Sequence, residues 1–526
     1  MTAVVALPLV RSYYYLGEAD ALSHLGATRD IVWGNISMLE IRYPVIHTLS
    51  AISSDITGMG VTESLLLFVV VFVVTFFVFI PLTLKELTSN ERIVLVGAFS
   101  GLLLLQLNFL GTNMQPHPAS QAVMFAAAIV YLFVGYYRRS DRRFVIMILL
   151  AAAMFVLLHP QQAANFVIFF GTIATIQLLH TIGWRYVGLQ LGPFVLPVAV
   201  IFGLLFWLWA IRLPAFESSL GAFITSLLVD TGTATQVTSR GVSLGAIGGS
   251  LEEVFLKLFL VALLYCILTG AVALAVTADV VRLPGTGRFR GIVTSIPQDS
   301  RTLLLYFIPG FVAVTGLFIG YIVGDLTSQY FRHFGFMMVI VTIMGATVLG
   351  RGSMILEQRF GRARGRSFSV VVVLSLLLLS MLVVFPSPYI YQTTGHVPES
   401  QMDGYERAFE YGHAEISYDH VRSSASRYGT AINGGAEQDR RDYYREGERR
   451  GGVPDHFNDH QLPEYFDEPV YLGVTGADRE RDPGIYRGLR FTHDDFAYLE
   501  NEPQINKVQS NGGFDLYLVQ PADTAG

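Results

Sequence analysis

Apolar residues gather in ten long runs, near 63–84, 93–111, 120–137, 144–159, 163–182, 192–212, 251–280, 303–324, 335–350 and 368–387. Most approach the ~17–25 residues needed to cross a bilayer core. Backbone polar groups in lipid must bond within their own segment, so these runs predict helices. The N-terminal run MTAVVALPLV stops at Arg11 and is too short to span, which predicts a stub. Beyond about residue 390 no comparable run occurs. The pattern predicts an all-α multi-pass membrane domain over 1–389, with ten full spans, the stub and outer-face loops. A small soluble domain, α/β or β-rich, is expected over 390–526. Near its end, INKVQSNGGFDLYLV places alternating apolar residues around Asn511-Gly512, a hairpin signal. The charged, glycine-containing stretch 434–452 predicts partial disorder. Within 213–250, PAFESSLGAFITSLL reads as an amphipathic interfacial segment and the Gly/Ser/Thr-rich remainder as mobile.

Arginine sets the orientation. The connections KELTSNER, YRRSDRR, GWRYVG, RLPGTGRFRGIVTSIPQDSR and RGSMILEQRFGRARGRS alternate with cation-poor ones. The positive-inside rule assigns them to the cytoplasm. Residues 12–62, 112–119, 213–250, 325–334 and the tail then face outward, giving a multi-pass plasma-membrane protein with an extracytoplasmic C-terminal domain. The tail from residue 390 holds 25 Asp+Glu against 13 Lys+Arg, so it is acidic while the preceding part is basic. Lysine occurs only at positions 85, 257 and 507. An acidic, lysine-poor surface resembles that of salt-adapted archaeal proteins; an ordinary acidic tail is the plainer reading. The single cysteine, Cys266, lies in an apolar run and cannot form an intrachain disulfide.

The chemistry concentrates on the outward side. Loop 1 carries GEADALSHLG, with Glu18, Asp20 and His24, and then RYPVIH, with Arg42, Tyr43 and His47. If the first stretch opens a helix, Asp20 and His24 lie one turn apart on one face. A carboxylate at the lipid boundary loses hydration and becomes a better base. A capping role for Asp20 is the plainer alternative. His117 in TNMQPHPA and His159 in HPQQ precede prolines at helix ends, where they either bond free backbone groups or line a sugar pocket with Gln162. Arg332 and His333 in SQYFRHFG either snorkel or capture a lipid phosphate. Asn35-Ile36-Ser37 is a lone glycosylation sequon. The centres of the runs carry almost no ionisable residues, unlike an ion-coupled carrier. No Walker loop, HExxH or CxxC occurs, and nothing supports nucleic-acid binding.

An acidic motif early in a first outer loop, short polar outer turns and an outer tail resemble the GT-C class of membrane glycosyltransferases. The strings GEADALSHLG, RYPVIH and INKVQSNGGFDLYLV are similar to those of archaeal, especially haloarchaeal, members. The resemblance implies a polyprenyl-phosphate or dolichyl-phosphate sugar as donor, with membrane lipid as its medium. It implies Asp20 as general base with Glu18 as companion, and Arg332 with His333 at the leaving phosphate. His24, Arg42, Tyr43, His47, His117, His159 and Gln162 would then shape the sugar and acceptor pocket. No metal or other cofactor is implied, because the leaving group bears one phosphate. TNMQPHPA lacks the second acid found in many members. Oligosaccharyltransferases carry Trp-Trp-Asp in the tail, whereas all four tryptophans here precede it.

The expected activity is therefore that of an inverting hexosyltransferase. It would move a monosaccharide, mannose or another hexose, to a surface glycan or glycoprotein. A lipid-linked sugar flippase or carrier, or a non-enzymatic scaffold, are the alternatives.

Overall fold

A computed structural model of the chain describes residues 2–103, 112–183, 192–214, 216–218, 221, 225, 242–281, 298–323, 330–438 and 452–522. The stub is a short helix, α1 (Thr2–Val10). Loop 1 contains a two-residue strand β1 (Tyr15–Leu16) and two helices, α2 (Asp20–Trp33) and α3 (Pro44–Thr57). Each of the ten apolar runs contains a helix. They are α4 (Val61–Thr88), α5 (Glu91–Ser100), α6 (Pro118–Arg139), α7 (Arg142–Leu158), α8 (Pro160–Thr181), α9 (Leu196–Ala210), α10 (Leu251–Val281), α11 (Gln298–Val323), α12 (Tyr330–Phe360) and α13 (Arg362–Met381).

Among the described residues, 7 of these helices are long and apolar enough to cross a membrane. Helices α5, α7 and α9 are shorter. Residues 104–111, the rest of the second run, lie outside the described residues. The limits of α7 and α9 have local causes. The α7 helix stops before His159, which precedes Pro160 and is extended (φ −162°, ψ 107°), because a residue before proline is driven from the helical region. The α9 helix begins only at Leu196, with Pro197 in its first turn, where the missing N–H costs no helical bond. The expected mobile segment at 230–250 and the disorder at 434–452 fall largely outside the described residues.

Helices α6 and α12 are buried on nearly all sides, while α10 and α13 are mostly exposed. Small residues let the central helices approach closely. A Cβ on Gly135 of α6, for example, would stand 2.3 Å from the Phe144 ring.

The tail is an α/β module. Strands β3 (Ser417–His420), β4 (Val470–Thr475), β5 (Ile505–Ser510) and β6 (Phe514–Val519) form a sheet in the order β3-β4-β6-β5. The first pair is parallel and the others are antiparallel. The expected hairpin is β5–β6. Asn511 turns it by accepting from the Gly513 and Phe514 backbone N–H groups, and Gly512 takes a left-handed φ of 85°.

The tail is welded to loop 1. Strand β2 (His396–Val397) pairs antiparallel with β1, matching Tyr15 with Val397. Helix α14 (Glu399–Tyr411) and helix α15 (Ala425–Asn433) extend the core, so that Met402, Tyr405 and Tyr428 share one cluster with Ala21, Leu22 and Leu25. Helix α15 lies directly on α2. Arg29 donates to the Ala431 carbonyl at 2.6 Å, and Asp30 accepts from the Gly435 backbone N–H at 2.6 Å. A Cβ on Gly26 would stand 2.1 Å from the Thr430 carbonyl oxygen. Gly26→Ala therefore forces the two helices apart and is expected to cost about 1–3 kcal/mol. Thermal unfolding and limited proteolysis of the tail measure it. Gly171→Ala, where a Cβ meets nothing within 4 Å, should leave both unchanged; equal losses in the two variants would refute the close-contact account.

Candidate active site

Two positive-φ positions bring loop 1 into place. Gly17 has φ 108°, and its N–H donates to the Gly395 carbonyl at 2.6 Å. A Cβ there would meet the Gln115 side chain at 2.9 Å. Ala19 has φ 52° and ψ −116°, a backbone region that favours glycine. The α2 helix then starts at Asp20 itself. The Asp20 side chain makes no cap, so the plainer sequence reading of a helix-capping aspartate does not hold. It is instead about half exposed and pairs with Arg427 Nη2 at 3.1 Å.

A cavity of about 670 Å³ opens beside Asp20. It gathers residues from loop 1 (Asp20, His24, Arg42, Tyr43), from the turns before α6 and α8 (His117, His159) and from the start of α12 (Arg332, His333). The turns singled out along the sequence thus converge. One wall is apolar and includes Val167, Phe206, Trp207 and Leu317, with Phe206 and Trp207 flanking Phe216. Three expected residues do not line this cavity. His47 and Gln162 stand behind it, and Glu18 lies on the far side of the chain.

The hydrogen bonds behind the cavity fix its chemistry. His47 Nδ1 lies 2.7 Å from the Tyr43 carbonyl oxygen, which only accepts, so Nδ1 carries the proton. Neutral His47 then presents a lone pair at Nε2. His24 Nδ1, 3.1 Å away, must donate to it, leaving the lone pair of His24 on Nε2. His159 caps α8 through Nδ1, which accepts from the Gln162 backbone N–H, so its proton sits on Nε2. The His159 ring stacks on Tyr43 at 4.8 Å. His333 Nδ1 donates to Asn165 Oδ1 at 2.7 Å. Asn165 in turn donates to Gln162 Oε1, and Gln162 donates to the Arg332 carbonyl. Arg332 is steadied by Gln161 Oε1 at 3.1 Å.

The charges are unequal. Three guanidiniums, Arg42, Arg332 and Arg427, face the cavity against one carboxylate, Asp20. Arg42 and Arg332 have no ion-pair partner among the described residues. The imidazoles add no charge at neutral pH. Burial pushes His47 and His117 down to about 4, and burial with neighbouring imidazoles or cations holds His24 and His159 well below the usual range. No group of three or more His, Cys, Asp or Glu among the described residues is arranged to hold a metal ion.

Arg427 had no local signal in the sequence. It comes from the tail helix α15, bonds Ser23 Oγ at 2.5 Å as well as Asp20, and enters the cavity only because the tail folds back. Gln161 of the HPQQ turn lines the cavity, while its neighbour Gln162 bonds the Arg332 carbonyl and Asn165 behind it.

No protein-family model and no curated protein sequence matches the chain. Solved structures do resemble it. The Archaeoglobus fulgidus oligosaccharyltransferase in its apo form is 12% identical, with a TM-score of 0.51, over 99% of this chain and 74% of that one. ArnT from Cupriavidus metallidurans in the apo state is 13% identical, with a TM-score of 0.45, over 99% of this chain and 98% of that one. The mycobacterial arabinofuranosyltransferase AftD is 13% identical, with a TM-score of 0.40, over 91% of this chain and 36% of that one. The resemblance to the GT-C class therefore stands as a likeness of fold.

The buried imidazoles have a pH signature. His47 is depressed when folded, so the unfolded chain takes up its proton first on acidification. Stability from His47 is complete above about pH 6.5 and is lost toward pH 4. Between pH 7 and pH 5 the loss should be about 2 kcal/mol, and His47→Gln should remove that part of the slope. An identical pH slope of the thermal midpoint in wild type and variant would contradict it.

Proposed function

We propose that the chain is an inverting glycosyltransferase that takes a hexose from a dolichyl-phosphate donor. The carrying observation is the cavity itself. Cations without carboxylate partners, a carboxylate and neutral imidazoles share one space with an apolar wall. That combination suits an amphipathic anion, with the lipid chain along Phe206, Trp207 and Leu317 and the phosphate at Arg332 and Arg42.

In this reading Asp20 accepts the proton of an acceptor hydroxyl. The hydroxyl oxygen bonds to the anomeric carbon as the bond from that carbon to the phosphate oxygen breaks. The electron pair leaves with the lipid phosphate, whose added charge Arg332 and Arg42 stabilise. His159 Nε2–H and the lone pair of His24 offer a donor and an acceptor for sugar hydroxyls. Arg427 holds the Asp20 carboxylate in place at 3.1 Å. The acceptor is a surface glycan or glycoprotein, and the reaction lies on the outer face of an archaeal plasma membrane, the side opposite the arginine-rich connections. The fold resembles that of an enzyme whose name declares oligosaccharide transfer, which is compatible with this chemistry.

Turnover of a dolichyl-phosphate hexose by membranes carrying Asp20→Asn should fall by about 10²–10⁴-fold. Arg332→Gln should lower turnover and weaken donor binding together. Undiminished transfer in Asp20→Asn removes Asp20 from the reaction. Movement of the lipid-sugar across vesicles without any new glycosidic bond would replace the transferase by a carrier.

A further inference from the structure

Arg332 and His333 open α12 opposite the first turns of α8, and the hydrogen bonds between the two helices close on themselves. Arg332 Nη1 donates to Gln161 Oε1 at 3.1 Å. Gln161 Nε2 lies 3.4 Å from His333 Nε2, the longest link. His333 Nδ1 lies 2.7 Å from Asn165 Oδ1. Asn165 Nδ2 donates to Gln162 Oε1 at 3.0 Å, and Gln162 Nε2 donates to the Arg332 carbonyl at 2.9 Å. The circuit leaves Arg332 by its side chain and returns to it at its backbone.

Its direction is forced from both ends. A guanidinium only donates, so Gln161 turns its oxygen to Arg332 and its NH2 to His333. A carbonyl only accepts, so Gln162 turns its NH2 to Arg332 and its oxygen to Asn165, whose own oxygen is left for His333. From the Gln161 side, His333 Nε2 must hold a lone pair. From the Asn165 side, Nδ1 must hold the proton. One neutral tautomer meets both demands. Both nitrogens of His333 are then committed within the protein, and neither is left to donate to a phosphate.

Gln162 and Asn165 are fully buried and His333 is almost so. They sit on two helices long and apolar enough to cross a membrane. Buried polar side chains are costly there unless each is satisfied, and the ring satisfies them in turn. It also steadies Arg332 with amides rather than with a carboxylate. The guanidinium is thereby fixed in place while its charge stays available to an anion.

We propose that this ring is the positioning device for the donor phosphate, and that His333 and Asn165 act through Arg332 without touching the phosphate, a role that rests on the reading of Arg332 given above. His333 is thus moved from phosphate ligand to positioning residue, and Asn165 joins it.

The test is a double-mutant cycle on equilibrium binding of farnesyl phosphate, an isoprenyl monophosphate, to the full chain in lipid nanodiscs. Arg332→Gln should weaken binding about tenfold or more. Asn165→Leu and His333→Phe should each weaken it about fivefold or more with Arg332 intact, and by less than about twofold in the Arg332→Gln background. A residue that acts only through another loses its effect once that other is removed. Gln162→Leu breaks the ring at a different link and should follow the same pattern, which keeps the test open if Asn165→Leu folds poorly. Equal losses in both backgrounds would overturn the proposal. In His333→Phe they would mark direct contact with the phosphate, and in Asn165→Leu a general loosening of the bundle. Unchanged binding in these variants with Arg332 intact would overturn it as well. Either result beside a weakened Arg332→Gln leaves the phosphate at Arg332 and removes the ring alone. Unchanged binding in Arg332→Gln itself removes the phosphate site, and the ring's role with it.

Discussion

Everything at the site depends on the packing of the tail helix α15 against the loop-1 helix α2. Loop 1 has no core of its own. Its buried face, with Ala21, Leu22 and Leu25, is completed by Tyr405 and Tyr428 from the tail. The contact at Gly26 leaves no room for a side chain, and one end of the interface is closed by charged hydrogen bonds to backbone, from Arg29 and onto Asp30. The same docking delivers Arg427 to Asp20 and Arg481 to Glu18. The two acids of the opening motif therefore owe their different surroundings to two arginines that lie more than four hundred residues away.

The cavity solves an electrostatic problem by dividing labour. Guanidiniums cannot be neutralised and so carry the positive field. Imidazoles packed away from water stay neutral and carry direction instead, since hydrogen bonds behind the cavity fix which nitrogen of each ring bears the proton. His47 is committed to a carbonyl, His159 to a helix N-terminus and His333 to an amide. Such a cluster would repel itself if charged, and burial prevents that. Binding of an anion then requires no proton uptake near neutral pH.

The sequence made some of this legible and hid the rest for identifiable reasons. Apolar run length gave the helices, because lipid allows the backbone few alternatives. Proline positions in HPQQ and TNMQPHPA marked the helix starts that aim His159 and His117. The Asn511-Gly512 turn was readable because only a few residue types accept its backbone geometry. By contrast, Arg427 and Arg481 sit in ordinary polar stretches, and only tertiary docking gives them meaning. The resemblance implied Glu18 as the companion of Asp20. The backbone of Ala19 sends them apart, and no local rule predicts an alanine in a region that favours glycine.

The pairing of Tyr15 with Val397, and of Arg29 with a carbonyl 402 residues away, also sets an order of events. A ribosome adding about 5–20 residues per second finishes the bundle well before it completes α15. Until then Gly26 has nothing to lie against and Asp20 has no cation to hold it. Newly made chains therefore pass through an interval in which the helices are assembled and the cavity is not. Completion of the tail is the step that turns an inserted protein into one with a formed site.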